Sequence, residues 1–293
     1  MISKIFIVLV LICYSKMEES SKSPVYFISH GGPDFMYMKE FGGYEAVQKI
    51  GKEIKNLPYL KGIIIVSAHW ESTPDEIYVN TAEHTELIHD FDRDRWPSYM
   101  FEEQYANVGS KEISSKILQL LKDANIKAVS KSRGLDHGAW VPFKIAFPSD
   151  KIPLSVPIVQ ISLYTNEDPN LHFNVGRALS PLRNEGIVII GSGMSVHNLN
   201  ERDLYADNEV AKYVVPFDNA VVDAMTKNKG EARRIALNEL LKRSDIRNAH
   251  PTFEHFFPLF VVSGAAYEDT GDLLFTSYEG SFAWGQYRLG SIG

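Results

Sequence analysis

Three short runs in this chain are dominated by branched aliphatic residues: Ile63–Ser67, Ile158–Leu163 and Ile187–Ile190. Each is too short for a buried helix. Each lacks the apolar–polar alternation of a strand with one wet face, so each reads as a strand covered on both sides, the signature of a parallel sheet wrapped by helices. A fourth run, Val25–Ser29, is bounded by Pro24 and Gly31-Gly32-Pro33 and reads as a strand entering a tight loop. Between these runs the apolar residues recur at helical spacing. The predicted helices are Gly43–Leu57, Lys111–Asn125, Asn174–Leu182, Asn208–Lys227 with a break or start at Pro216, Glu231–Lys242 and the strongly apolar Phe256–Ala266. The segment Ser277–Leu289 has strand-like stretches. Strands alternating with helices predict a single α/β domain, a central mostly parallel or mixed sheet flanked by helices on both faces. With no internal repeat or dividing linker, that domain is expected to span residues 25–293, after an N-terminal extension of residues 1–24.

Composition removes several functions. The one cysteine, Cys13, excludes intramolecular disulfides and cysteine-rich zinc sites, so any metal must be held by His, Asp or Glu. The formal net charge is −7 and no Lys/Arg block occurs, which argues against nucleic acid or an anionic membrane as a partner. The apolar run Ile5–Cys13 is far shorter than the roughly 20 residues that span a bilayer. Residues 1–16 read as a dispensable extension of a cytoplasmic protein, the alternative being a signal peptide without a clear cleavage site.

The nine histidines carry the functional signal. His30 directly follows the first strand, His69 lies two residues after Ile63–Ser67, and His197 follows Ile187–Ile190 and its glycine turn. In open α/β sheets ligands bind beyond the carboxyl ends of strands, so these three are placed to converge. Imidazole is a common metal ligand and the side chain best suited to proton transfer near neutral pH. The plainer reading is that each caps a strand or fills a loop hydrogen bond. His137, in Gly134-Leu-Asp-His-Gly-Ala-Trp140, is equally a catalytic candidate or part of a polar loop before a buried Trp. His250 and His255 flank the start of the apolar Phe256–Ala266 helix, where a histidine needs a partner, metal or backbone carbonyl. His84, His89 and His172 suit surface or structural roles, although Ile88-His-Asp-Phe91 could turn inward. Trp70 and Trp140 adjoin the candidate ligands and could line a flat apolar pocket. Ser29, Ser67 and Ser192 lack a Gly-x-Ser-x-Gly elbow, and Gly191-x-Gly193 is no dinucleotide fingerprint.

Five segments occur in an order that has a counterpart. Ile28-Ser-His-Gly-Gly-Pro33, Val66-Ser-Ala-His-Trp70, Leu135-Asp-His-Gly-Ala-Trp-Val-Pro142, Ile190-Gly-Ser-Gly-Met-Ser-Val-His-Asn-Leu199 and His250-Pro-Thr-Phe-Glu-His-Phe-Phe-Pro-Leu259 together resemble the class III extradiol dioxygenases, in particular the DOPA-dioxygenase type. The resemblance runs from about Val25 onward. It implies a single α/β domain and one mononuclear non-haem metal, Fe(II) for activity, with Zn(II) in some isolated forms, and O2 as co-substrate. It implies His30, His69 and His255 as metal ligands. His197 would be the near-metal catalytic histidine and a candidate fourth ligand, and His137 a second catalytic histidine contacting substrate or dioxygen. The expected partner is a small catechol-type substrate, and the protein a monomer or homodimer. The stretch after His197, Asn-Leu-Asn-Glu-Arg-Asp203, departs from the pattern of plant pigment-making members, which puts their substrate in question. Two other readings use the same residues: a non-enzymatic metal-binding protein of this fold, and a zinc-dependent hydrolase.

Overall fold

The computed structural model describes residues 22–148, 154–206 and 209–292. The run Ile5–Cys13 lies outside them. No described helix is long and apolar enough to cross a membrane.

The strands are β1 (Val25–Ser29), β2 (Gly62–Glu71), β3 (Ile77–Asn80), β4 (Ala128–Lys131), β5 (Ile158–Leu163), β6 (Ile187–Gly193), β7 (Val196–His197), β8 (Gly271–Phe275), β9 (Tyr278–Glu279), β10 (Phe282–Ala283) and β11 (Gln286–Leu289). Eight of them form one sheet in the order β4-β3-β5-β2-β6-β1-β11-β8. Its centre, β5-β2-β6-β1, is parallel, and antiparallel pairings of β3 with β5 and of β11 with β1 and β8 make it mixed. The four aliphatic runs are this parallel centre, and β1, β5 and β6 are buried at every residue.

The helices are α1 (Gly42–Lys55), α2 (Lys111–Asp123), α3 (His137–Ala146), α4 (Pro169–Leu179), α5 (Val214–Thr226), α6 (Gly230–Leu240), α7 (Ile246–Ala249) and α8 (Phe257–Ala265). Strand alternation divides the core between the two faces. Val25, Phe27, Ile64, Val66 and Ile189 pack with α2, α4, α5, α6 and α8. Tyr26, Ile28, Ile63, Ile65 and Ile190 pack with α1 and α3.

Three sequence expectations shift. The helix expected at Asn174–Leu182 is α4, which starts five residues earlier. Pro169 occupies its first turn and the Asp168 carboxylate accepts the Asn170 N–H at 2.8 Å, a start signal the apolar spacing does not carry. After Leu179 the chain tightens into a 3-10 segment, Ser180–Glu185. The helix expected from Asn208 begins only at Val214, so Pro216 sits in its first turn, where its missing N–H does no harm. The segment after His137 is a helix, α3, despite Gly138 and Pro142.

Candidate metal centre

The parallel centre of the sheet delivers its carboxyl ends to one edge. β1 ends at Ser29, so His30 lies just beyond it, and the His30 N–H donates to the Gly193 carbonyl at the end of β6 at 3.0 Å. β2 runs on through His69 to Glu71. His255 comes from the turn before α8, and its carbonyl accepts the Met194 N–H at 2.9 Å. That close approach requires Gly193, where a Cβ would lie 2.1 Å from the His255 oxygen.

The three imidazoles meet. Nε2 of His69 lies 3.1 Å from Nε2 of His30 and 3.2 Å from Nε2 of His255. Each Nδ1 is engaged on its far side. His30 Nδ1 donates to Ser192 Oγ at 2.9 Å and His255 Nδ1 to Glu254 Oε1 at 3.0 Å, while His69 Nδ1 faces Asp90 Oδ2 at 3.3 Å. The Ser192 hydroxyl donates to the Gly138 carbonyl, so Oγ is an acceptor toward His30. These partners put the proton on Nδ1 of each ring and leave a lone pair on each Nε2.

Three lone pairs facing one another at this range repel unless a cation lies between them. Imidazole nitrogens bind a first-row metal at about 2.0–2.1 Å, which sets neighbouring ligand nitrogens about 2.8–3.4 Å apart for octahedral to tetrahedral angles. The observed spacings fit a metal. So does the charge state, because neutral imidazole is the ligand form. Burial, then the neighbouring imidazoles, push His30 and His255 well below the usual histidine range, and burial, then His137, pushes His69 down to about 4.

His197 and His137 flank this triad. The His197 ring stacks face to face on His255, centroids 3.6 Å apart and planes 14° apart, with Phe282 beside it at 5.6 Å. Among the described residues its ligand atoms group with Glu254 and His255 rather than with His30 and His69. Burial, then His255, lowers its pKa well below the ordinary value. His137 opens α3, its ring 4.0 Å from that of His69 and 5.6 Å from that of His30. Its Nδ1 donates to Asp90 Oδ1 at 3.0 Å and its backbone N–H to the same oxygen at 2.9 Å. Gly138 forms the floor: a Cβ there would lie 2.4 Å from Ser67 Oγ and 3.0 Å from the His69 ring. Beneath it the fully buried Asp136 carboxylate accepts from Ser67 Oγ at 2.7 Å, Arg133 Nη1 at 2.7 Å and Gln160 Nε2 at 2.5 Å.

The structure thus brings together His30, His69, His137, His197 and His255, and not the two tryptophans expected beside them. Trp70 follows His69 along β2 and therefore points to the opposite face, against Tyr78 and beneath the Arg133 guanidinium. Trp140 is fully buried behind the site, its indole N–H donating to the Ile88 carbonyl. His250 is buried elsewhere, Nε2 donating to the Ser195 carbonyl at 2.9 Å. His172, expected at the surface or in a structural role, is structural and wholly buried, bonded to the Asp168 carbonyl and the Tyr164 N–H. Sequence reasoning missed Asp90, Glu254 and Ser192 as partners of the imidazoles. The pair His89-Asp90 within an apolar frame is the one signal for Asp90.

The fold and the convergent imidazoles define an α/β protein with a three-histidine cluster at strand ends that could hold a metal ion. The family model for the catalytic LigB subunit of aromatic ring-opening dioxygenases matches residues 21–289. A 4,5-DOPA dioxygenase extradiol of Beta vulgaris is 33% identical over 94% of this chain and 99% of its own length. One of Mirabilis jalapa is 35% identical over 82% of this chain and 86% of its own length. An uncharacterised protein of Escherichia coli K12, known as a crystal structure, superposes with a TM-score of 0.73 at 26% identity, covering 92% of this chain and all of that one. The chain belongs to the LigB family of class III extradiol dioxygenases.

Proposed function

We propose that this protein is an extradiol ring-opening dioxygenase that inserts both atoms of O2 into a catechol-type, DOPA-like substrate, with His30, His69 and His255 holding one non-haem iron(II). The observation that carries the reading is the set of three outward-committed Nδ1 atoms around three convergent Nε2 lone pairs, with two further imidazoles beside them. The names of the relatives support the catechol chemistry. Iron(II) would supply Lewis acidity toward the diol and the electron transfer that joins O2 to the ring, whereas zinc, which has no redox chemistry, would supply only the first.

The chain's own residues then have separable tasks. His197, kept neutral by burial and held flat on His255, takes a proton from the diol and returns it during ring opening. No hydrogen bond to a described residue occupies its ring nitrogens. His137 donates its Nδ1–H to Asp90 in a hydrogen bond, which leaves Nε2 to contact substrate or dioxygen. Phe91, 5.8 Å from His137, and Phe282 beside His197 limit water at the reacting atoms.

The test is anaerobic loading with Fe(II), then oxygen uptake with a panel of catechols. Stoichiometric uptake with a yellow ring-opened product is expected, and no uptake with any catechol overturns the reading. His30→Ala and His69→Ala are expected to lose the metal. His197→Ala is expected to keep fold and metal and lose roughly 10²–10⁴-fold in rate; wild-type turnover in it removes His197 from the reaction.

A further inference from the structure

Three loops rim the histidine pocket. One follows His30 and carries Gly32 and Asp34; the second carries Asp90 and Trp96; the third is the 3-10 segment Leu199–Leu204, two residues after His197. They are tied together. Arg95 on the second loop pairs with Asp203 on the third at 3.2 Å. The Trp96 ring lies over Gly32 so closely that a Cβ there would meet it at 3.4 Å. Arg202 also stands over Trp96, its guanidinium 5.3 Å from the ring centroid.

Arg202 is half-buried, and among the described residues no carboxylate lies within 4 Å of its guanidinium. Its sequence neighbours are committed elsewhere. Glu201 accepts from the hydroxyls of Tyr205 at 2.8 Å and Tyr213 at 3.1 Å, and Asp203 is held by Arg95. An arginine held over an indole and not paired at salt-bridge range with any described carboxylate is suited to gripping a carboxylate from outside the chain, because the ring fixes the planar fork and leaves its donors free.

We infer that Arg202, oriented by Trp96, is a specificity-determining residue that holds a carboxylate on the side chain of the catechol. Asp34, on the loop beside Gly32, carries a half-buried carboxylate on which the Arg202 charge acts. The inference rests on the proposed reading of the site as a catechol site.

The probes are dihydrocaffeate, which carries a monocarboxylate tail, and 4-methylcatechol, which does not. In the iron-loaded enzyme the ratio of kcat/KM for dihydrocaffeate over 4-methylcatechol is expected to fall roughly 10- to 100-fold in Arg202→Gln, the worth of a lost charge-assisted pair, mainly through KM. Arg202→Lys is expected to restore part of it. In the zinc-loaded protein under anaerobic conditions, calorimetry is expected to give a Kd for dihydrocaffeate that rises by a similar factor in Arg202→Gln. Turnover with an unchanged ratio, or a wild-type protein that binds the two probes equally, overturns the inference. Arg202-dependent binding to the zinc form without turnover in the iron form keeps it and overturns the dioxygenase reading instead.

Discussion

Asp90 joins two histidines of different duty. One oxygen takes both the ring and backbone N–H groups of His137, and the other faces His69 Nδ1. Its own pKa falls to about 2, because His137 and His69 outweigh its burial. Asp90→Asn is expected to weaken metal binding roughly 10- to 100-fold by chelator competition, and an unchanged affinity would show that His69 is held by its strand alone. His172 sets a pH dependence apart from the five-histidine cluster. Burial lowers its pKa to about 4, against about 6.5 when unfolded. The unfolded chain therefore binds the extra proton between those values, so stability is full above pH ~6.5 and is lost as pH falls toward ~4, by roughly 3 kcal/mol from this group. His172→Gln is expected to flatten the slope of unfolding free energy against pH by close to one proton in that window; an unaltered slope assigns the acid sensitivity to other groups. The five clustered histidines were legible because strand ends and ordered motifs mark them. Asp90, Glu254 and Ser192 were not, because their partnerships with His69, His255 and His30 form through space.

At the scale of elements, the sheet centre could be read because residues buried on two faces leave no polar alternation to confuse. The outlying β3 and β4 are only four residues each and β4 is partly exposed, so their sequence resembles loop. The hidden helix is α3. Gly138 and Pro142 look like breakers, yet each has a use: the glycine lets the rings of His69 and His30 close over the helix, and the proline withholds the N–H that would bond the Gly138 carbonyl. That carbonyl is free for the Ser192 hydroxyl, whose oxygen orients His30. Pro142→Ala is expected to raise the thermal stability of the metal-free protein, since a proline inside a helix costs about 3 kcal/mol. It is also expected to weaken metal binding by up to roughly 10-fold, as the new N–H competes for the carbonyl. A variant that gains stability with no loss of metal affinity would show the proline to be incidental.

For the whole molecule, a buried cluster of unprotonated imidazoles is a standing electrostatic cost that a bound metal would relieve. Because the folded state alone assembles the triad, metal at 100 times its Kd adds about 2.7 kcal/mol, and stripping it with a chelator is expected to lower Tm by about 5 °C. An identical Tm in both states would mean that the pocket holds no ion of consequence. Distant parts of the chain meet around β1, which lies between β6 and β11. The Gln286 side chain bonds both backbone groups of Ser29, at 3.1 and 3.0 Å, and Ser29 Oγ donates to the Gly285 carbonyl at 2.8 Å. The residue that introduces His30 is thus clasped by one made more than 250 positions later. On the ribosome Ser29 must wait, unclasped, until Gln286 has been made, so a metal held by His30, His69 and His255 would be bound late in synthesis rather than as His30 emerges.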